Sequence, residues 1–207
     1  MLSEPNIPGY FSPDQLNFLY EVVSDIKPRN AVEIGCYMGR STYAISKAMN
    51  ENNGEKLICV DSWRQKVSED YFNQEHMKKL FSMFPDAVHN YRRTEFDSIM
   101  DLFKITLERF PFMRDLIEIR NTDSKNVDLT GEEIDLSFID GDHTYEGTKN
   151  DIMKVLDGAR FPIVMAFHDY SEKAYPGVVK AIHELTQWKR SDRLGLVGHT
   201  IAFRVHQ

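Results

Sequence analysis

The sequence predicts an α/β protein with a doubly wound, mostly parallel sheet, a helical insertion after the second strand and an antiparallel strand pair at the C-terminal end. Three observations carry this expectation. Short apolar runs alternate with stretches of helical spacing, the pattern of strands joined by right-handed crossover helices. The runs stop at polar residues: Glu33 to Ser41, Asp61, Asp123-Ser124, Asp140 to His143, and His168-Asp169. In a sheet of this kind ligands gather outside the carboxyl ends of the strands, so polar residues are expected there.

Taken in order, Ser12-Pro13-Asp14 offers an N-cap followed by proline at the first helical position, and Leu16, Leu19, Tyr20 and Val23 recur at helical spacing. This first helix is expected to run to about Lys27, where Pro28 stops it. Ala31 to Ile34 is a short apolar run closed by Gly35, hence a buried strand; Arg40 to Met49 is helical again. Asn53-Gly54 then precedes a second strand, Leu57 to Val60, closed by Asp61. Residues 64–113 break the rhythm, with helical spacing at Met77, Leu80, Phe81 and Phe84 and again at Ile99, Leu102, Phe103 and Leu107. They read as an inserted helical cap. Leu116 to Ile119 and Ile134 to Ile139 follow as strands, Thr144 to Asp157 as a helix and Ile163 to Phe167 as a fifth strand. Val178, Ile182 and Leu185 mark the next helix, and Leu194–Val197 with Thr200–Phe203 close the chain as the antiparallel pair.

The 207 residues suit one domain, 1–207, with an ordinary balance of 42% hydrophobic and 28% charged residues. No apolar stretch approaches the roughly 20 residues that span a bilayer, and the N-terminus shows no secretory pattern, so a cytoplasmic protein without a membrane partner is expected. A net charge of −7 without a basic stripe argues against nucleic acid. Cys36 and Cys59 belong to no spaced metal-binding cluster and are expected to be reduced and mostly buried.

The turn Gly35-Cys36-Tyr37-Met38-Gly39-Arg40-Ser41 joins strand to helix, and its glycines let backbone approach a ligand. Tyr37 and Arg40 stand where a dinucleotide fingerprint has its second and third glycines, which disfavours NAD. Asp61, 22 residues beyond Gly39, ends the second strand, where an acid accepts hydrogen bonds from ribose hydroxyls. A nucleoside ligand follows. Asp140 and Asp169 supply hard oxygens suited to Mg²⁺.

With these residues in place the sequence resembles the class I S-adenosylmethionine (SAM)-dependent methyltransferases, through Val32 to Thr42, Asp61 and Phe138 to His143. Within them it is similar to the metal-dependent O-methyltransferases of the catechol type, to macrolide sugar O-methyltransferases and to cephalosporin-hydroxylase-like proteins, over about residues 10–205. The resemblance implies a Rossmann-like methyltransferase sheet that binds SAM. It assigns Glu33 to the methionine end, Gly35, Tyr37, Gly39 and Ser41 to contacts around it, and Asp61 with Ser62 to the ribose. Asp123 and Ser124 fall along the adenine, and Asp140 borders both SAM and metal. Asp140, His168 and Asp169 become metal ligands; His168 departs from the acidic or amide residues usual there, and so admits Mn²⁺ or Fe²⁺ as well as Mg²⁺, or a role beside the metal or facing substrate. His143, three residues beyond Asp140, takes the place of the general base, a task suited to an imidazole that titrates near neutrality.

The expected reaction is methyl transfer from SAM to a hydroxyl of a small molecule or sugar, with 64–113 as a lid. Trp63 and Tyr145 are candidate walls or core aromatics. The rival readings are a fold-related metal enzyme with other chemistry, such as hydroxylation, and a SAM-binding module without catalysis. Oligomeric state is left open.

Overall fold

The computed structural model describes residues 2–64, 77, 78, 82 and 98–207. Helix α1 (Pro13–Ile26) begins as expected: Ser12 caps it, Pro13 opens it, and the Gln15 side chain returns a bond to the Ser12 amide in a capping box. Such a cap is worth about 0.5–2 kcal/mol. Then come β1 (Asn30–Ile34), α2 (Arg40–Glu51), β2 (Lys56–Asp61), α3 (Ile99–Arg109), β3 (Ile117–Asn121) and β4 (Ile134–Ile139). Helix α4 (Tyr145–Asp157), β5 (Ala159–Phe167), α5 (Pro176–Trp188), β6 (Ser191–Val197) and β7 (Thr200–Val205) complete the order.

The strands form one sheet in the order β3-β2-β1-β4-β5-β7-β6. β1 pairs in parallel with β2 and β4, β2 with β3 and β4 with β5, while β7 runs antiparallel between β5 and β6. The predicted architecture therefore holds, with its switch point between β1 and β4, where a crevice opens at the strand ends. Side chains alternate across the sheet: Leu57, Cys59, Leu136 and Phe138 pack on the face covered by α1, α2 and α3. Ile58, Val60, Ile134 and Ile139 pack on the face of α4 and α5.

Three differences from the expected elements have physical causes. β5 starts at Ala159, four residues early, and Arg160 and Pro162 on its first half are exposed, so no apolar run announces it. β6 starts at Ser191 because it is the sheet edge and mostly solvated, which leaves its first half without a burial signal. Of the range 64–113, where a cap is expected, the described residues show helix α3, which belongs to the crossover that the parallel β2–β3 pair requires. Phe103 packs on Trp63 at 5.1 Å, and Thr106 Oγ1 donates to the Met38 carbonyl at 2.7 Å, so α3 buttresses the first loop from behind. Leu80, Phe81 and Phe84 lie outside the described residues. No helix among the described residues is long and apolar enough to cross a membrane.

Candidate active site

A cavity of about 750 Å³ opens at the switch point. Its first wall is the β1–α2 loop. Gly35 is left-handed at φ 89°, and a Cβ there would lie 2.0 Å from the Asp140 carbonyl oxygen, so only glycine lets β1 and β4 approach at this point. Tyr37 is also left-handed at φ 49°, and Gly39 at φ 91° caps α2 against Phe103 and Thr106. Asp61 ties the loop down: its Oδ2 accepts from the Tyr37 amide at 2.9 Å and its Oδ1 from the Trp63 amide at 2.8 Å. A carboxylate held by two backbone donors stays in one orientation toward the cavity.

Beneath the loop, Glu33 is completely buried and accepts from Ser41 Oγ at 2.5 Å. Desolvation raises its pKa to about 7 despite that bond. Glu33 and Gly39 do not line the cavity, whereas Gly35, Tyr37, Ser41, Asp61, Ser62, Asp123, Ser124 and Asp140 do. Glu33 supports Ser41 from below, and Gly39 serves the turn. Trp63 donates its Nε1 hydrogen to the Tyr37 carbonyl and belongs to the core; Tyr145 donates to Glu184 on α5. Neither is a wall of the cavity.

At the ends of β4 and β5 the walls are ionisable. His143 Nε2 lies 2.7 Å from Asp169 Oδ2 and 3.7 Å from Asp140 Oδ1. Bonds to Asp140 and Asp169 raise the His143 pKa to about 10 against a partial burial that works the other way. Burial would lift Asp169, yet His143 and His168 hold it well below the usual carboxylate range. Asp169 is itself left-handed, at φ 56°, directly after β5. Ligand atoms of Asp140, His143 and Asp169 all lie within 4.8 Å of one another.

His168, the third expected ligand, lines the same cavity. It is buried, its ring 5.0 Å from Phe11, with Nδ1 3.2 Å from Asp140 Oδ1 and Nε2 3.2 Å from Gln15 Nε2. Its Nδ1 also lies 3.5 Å from Asp169 Oδ1.

The third wall is one that no sequence pattern announces. Gly9, Tyr10 and Phe11 line the cavity ahead of α1. Arg40, nearly fully buried, straps them on: its Nε donates to the Phe11 carbonyl at 2.6 Å, and one terminal nitrogen donates to the Ile7 carbonyl at 3.0 Å and to Glu4. The available signal was Arg40 itself, an arginine in place of the third fingerprint glycine. Tyr175, whose ring lies 4.8 Å from that of His143, was also missed, since it precedes α5 without any periodic context.

The methyltransferase domain family matches residues 32–170. No curated protein matches the sequence. Among solved structures the chain is similar to an O-methyltransferase from Bacillus cereus in complex with SAH, at 18% identity and TM-score 0.64, over 98% of this chain and 85% of that one. It is also similar to SAH-bound PaMTH1 of Podospora anserina, at 14% identity and TM-score 0.63, over 93% and 78%. The O-methyltransferase NovP matches at 14% identity and TM-score 0.66, over 94% and 80%. These likenesses share the class I SAM-dependent methyltransferase fold that the sequence resembled. With its glycine loop, its switch-point cavity and two thirds of its length matched, the chain belongs to the methyltransferase domain family.

Proposed function

We propose that this protein transfers the methyl group of SAM to a hydroxyl oxygen of a small molecule or sugar, with a divalent cation at Asp140 and Asp169. The observation that carries the reading is the continuity of the cavity: a backbone cradle with a clamped acid at one end meets a cluster of ionisable groups at the other. The SAH-bound relatives support the nucleoside at the cradle end.

Asp140 and Asp169 fit a hard cation, since two carboxylate oxygens face one point beside an open cavity where water and acceptor oxygens can complete the shell. Such a cation would be held by the Asp140 and Asp169 carboxylates and would supply Lewis acidity toward the acceptor hydroxyl. The chain's own residues do the rest. The loop from Gly35 to Ser41 and Asp61 fix the nucleoside, so that the methyl group points toward the ends of β4 and β5. His143, in its neutral form, receives the hydroxyl proton on its ring nitrogen, and Asp140 and Asp169 beside it stabilise the imidazolium that results. Gly9 to Phe11 and Tyr175 exclude water and set the acceptor against the methyl carbon, where positioning supplies much of the rate.

Two measurements test the reading. Calorimetry with SAH is expected to show micromolar-range binding that EDTA leaves unchanged. Transfer of tritiated methyl to a panel of aromatic diols and sugars is expected to need added Mg²⁺ or Mn²⁺ and to stop with EDTA. Transfer by fully demetallated protein would remove the cation. SAH binding without transfer to any acceptor would favour a SAM-binding module.

A further inference from the structure

Two thiols that sequence spacing leaves unrelated meet under the cradle. Glu33 on β1 and Cys59 on β2 are register partners in a parallel pair, so their side chains leave the sheet on the same face. Gly35, left-handed at φ 89°, turns the chain directly after β1, and Cys36 follows it. One ligand atom from each of Glu33, Cys36 and Cys59 lies within 4.8 Å of the other two, and all three residues are buried. A zinc ion holds sulfur at about 2.3 Å and carboxylate oxygen at about 2.0–2.2 Å, so its ligands stand roughly 3–4.6 Å apart. The trio needs only small side-chain rotations to enter that range.

A buried thiol is ordinarily just a small apolar side chain. Three observations set this pair apart. Glu33 Oε1 takes the Ser41 hydrogen, but Oε2, fully buried, has no hydrogen-bond partner among the described residues. A buried carboxylate oxygen left without a partner costs free energy, and a cation beside it offsets that cost. The Cys36 thiol makes long contacts to the Glu33 and Val60 carbonyls, at 3.7 and 3.8 Å, which it can give up readily. Cys36 also lines the cavity, which provides a way in.

Charge selects the kind of cation. Burial pushes both thiols up, so neither ionises alone. A divalent cation balances two thiolates as their two protons leave to water, whereas a monovalent one leaves net negative charge on the pair in the core. Thiolate ligands in turn suit zinc-like ions rather than Mg²⁺ or Ca²⁺.

We propose that Glu33, Cys36 and Cys59 form a second cation site, distinct from Asp140 and Asp169, which seats a thiophilic divalent cation such as Zn²⁺ beneath the cradle. The cation joins β1, β2 and the glycine loop through three side chains. Because Oε2 is the oxygen it takes, Oε1 stays on Ser41 and the cradle keeps its shape.

Cd²⁺ titrated into the reduced full chain is the probe, since its bonds to thiolate are read by an ultraviolet charge-transfer band. One equivalent should produce the band, raise the thermal midpoint and resist excess Mg²⁺, which competes only for the carboxylates at the ends of β4 and β5. Cys36→Ser and Cys59→Ser should each abolish the band and the rise, while Asp140→Asn should change neither. Glu33→Gln, which keeps an acceptor for Ser41, should weaken Cd²⁺ binding at least about 10-fold. The ¹¹³Cd resonance of the unmutated protein reports how many sulfurs the ion holds; two are expected, so the inference is decided even where a variant does not fold. No band, a single sulfur, or a band that survives the loss of either cysteine overturns it. Cadmium bound without sulfur would place the ion at Asp140 and Asp169 alone, and overturns it too. Unchanged affinity in folded Glu33→Gln removes Glu33 from the site and overturns the three-residue form proposed.

Discussion

At the ends of β1 and β2 the cavity is shaped by backbone: two left-handed glycines, a left-handed tyrosine, and one aspartate whose oxygens are occupied by amides. At the ends of β4 and β5 it is shaped by side chains that ionise, with His143 held beside two carboxylates and His168 within reach of the same pair. The first region has little freedom once the chain has folded. The second has a charge arrangement that any cation or acceptor must rearrange. Binding by shape and reactivity by charge are thus divided between two neighbouring pairs of strands, and changes in one region should leave the signature of the other intact.

The largest expected effect is on the cradle. Gly35→Ala places a methyl group 2.0 Å from the Asp140 carbonyl oxygen in a backbone conformation that alanine avoids, so SAH binding should be lost and stability should fall by about 4 kcal/mol or more. Calorimetry and urea unfolding check both, and near-normal binding would show that β1 and β4 can separate there. In the reactive region, His143→Ala should lower kcat roughly 10²- to 10⁴-fold while SAH affinity stays nearly unchanged. A normal kcat in the folded variant would remove His143 from proton transfer.

Glu33 lies under the cradle yet carries an ionisable group, so it sharpens the comparison. Its pKa is about 7 in the folded protein against an ordinary 4.5, so the folded state keeps a proton that the unfolded state releases. Stability from this group is therefore full below about pH 4.5 and declines as pH rises through 7, by about 3 kcal/mol. Glu33→Gln should flatten that decline while keeping an acceptor for Ser41. Parallel urea-unfolding profiles between pH 4.5 and 8 for the two proteins would assign the decline to another group. The smallest effect belongs to Asp61→Ala, expected to weaken SAH binding by about 1–3 kcal/mol, the scale of hydrogen bonds to a charged group. Loss of kcat at saturating SAM instead would place Asp61 in the reactive region.

The same division explains what could be read from the sequence. The cradle is local: Gly35, Tyr37, Gly39 and Ser41 lie within seven residues, and the spacing to Asp61 spans one strand-helix-strand unit. The turn and Asp61 could be picked out from spacing, the resemblance supplied the roles of the single residues, and all but Glu33 and Gly39 reach the cavity. The reactive end depends on contacts between residues far apart in sequence. That Asp140, His143 and Asp169 converge follows from β4 pairing with β5, which strand order predicts. That Gln15 meets His168, 153 residues later, could not be read from any periodicity. Gly9 to Phe11 were invisible for a similar reason: an irregular segment has no pattern, and its place is set by Arg40 bonding to main-chain carbonyls, which every residue carries alike.

That last attachment bears on how such a protein changes its diet. The strap is fastened through the carbonyls of Ile7 and Phe11, and Tyr10, between the fastened points and largely exposed, contributes a side chain to the cavity without holding the sheet together. Substitutions at position 10 can therefore accumulate without being screened by folding, while those in the β1–α2 loop cannot. A lineage under selection for a new acceptor has, at that position, a surface it can revise one residue at a time while the methyl donor stays the same.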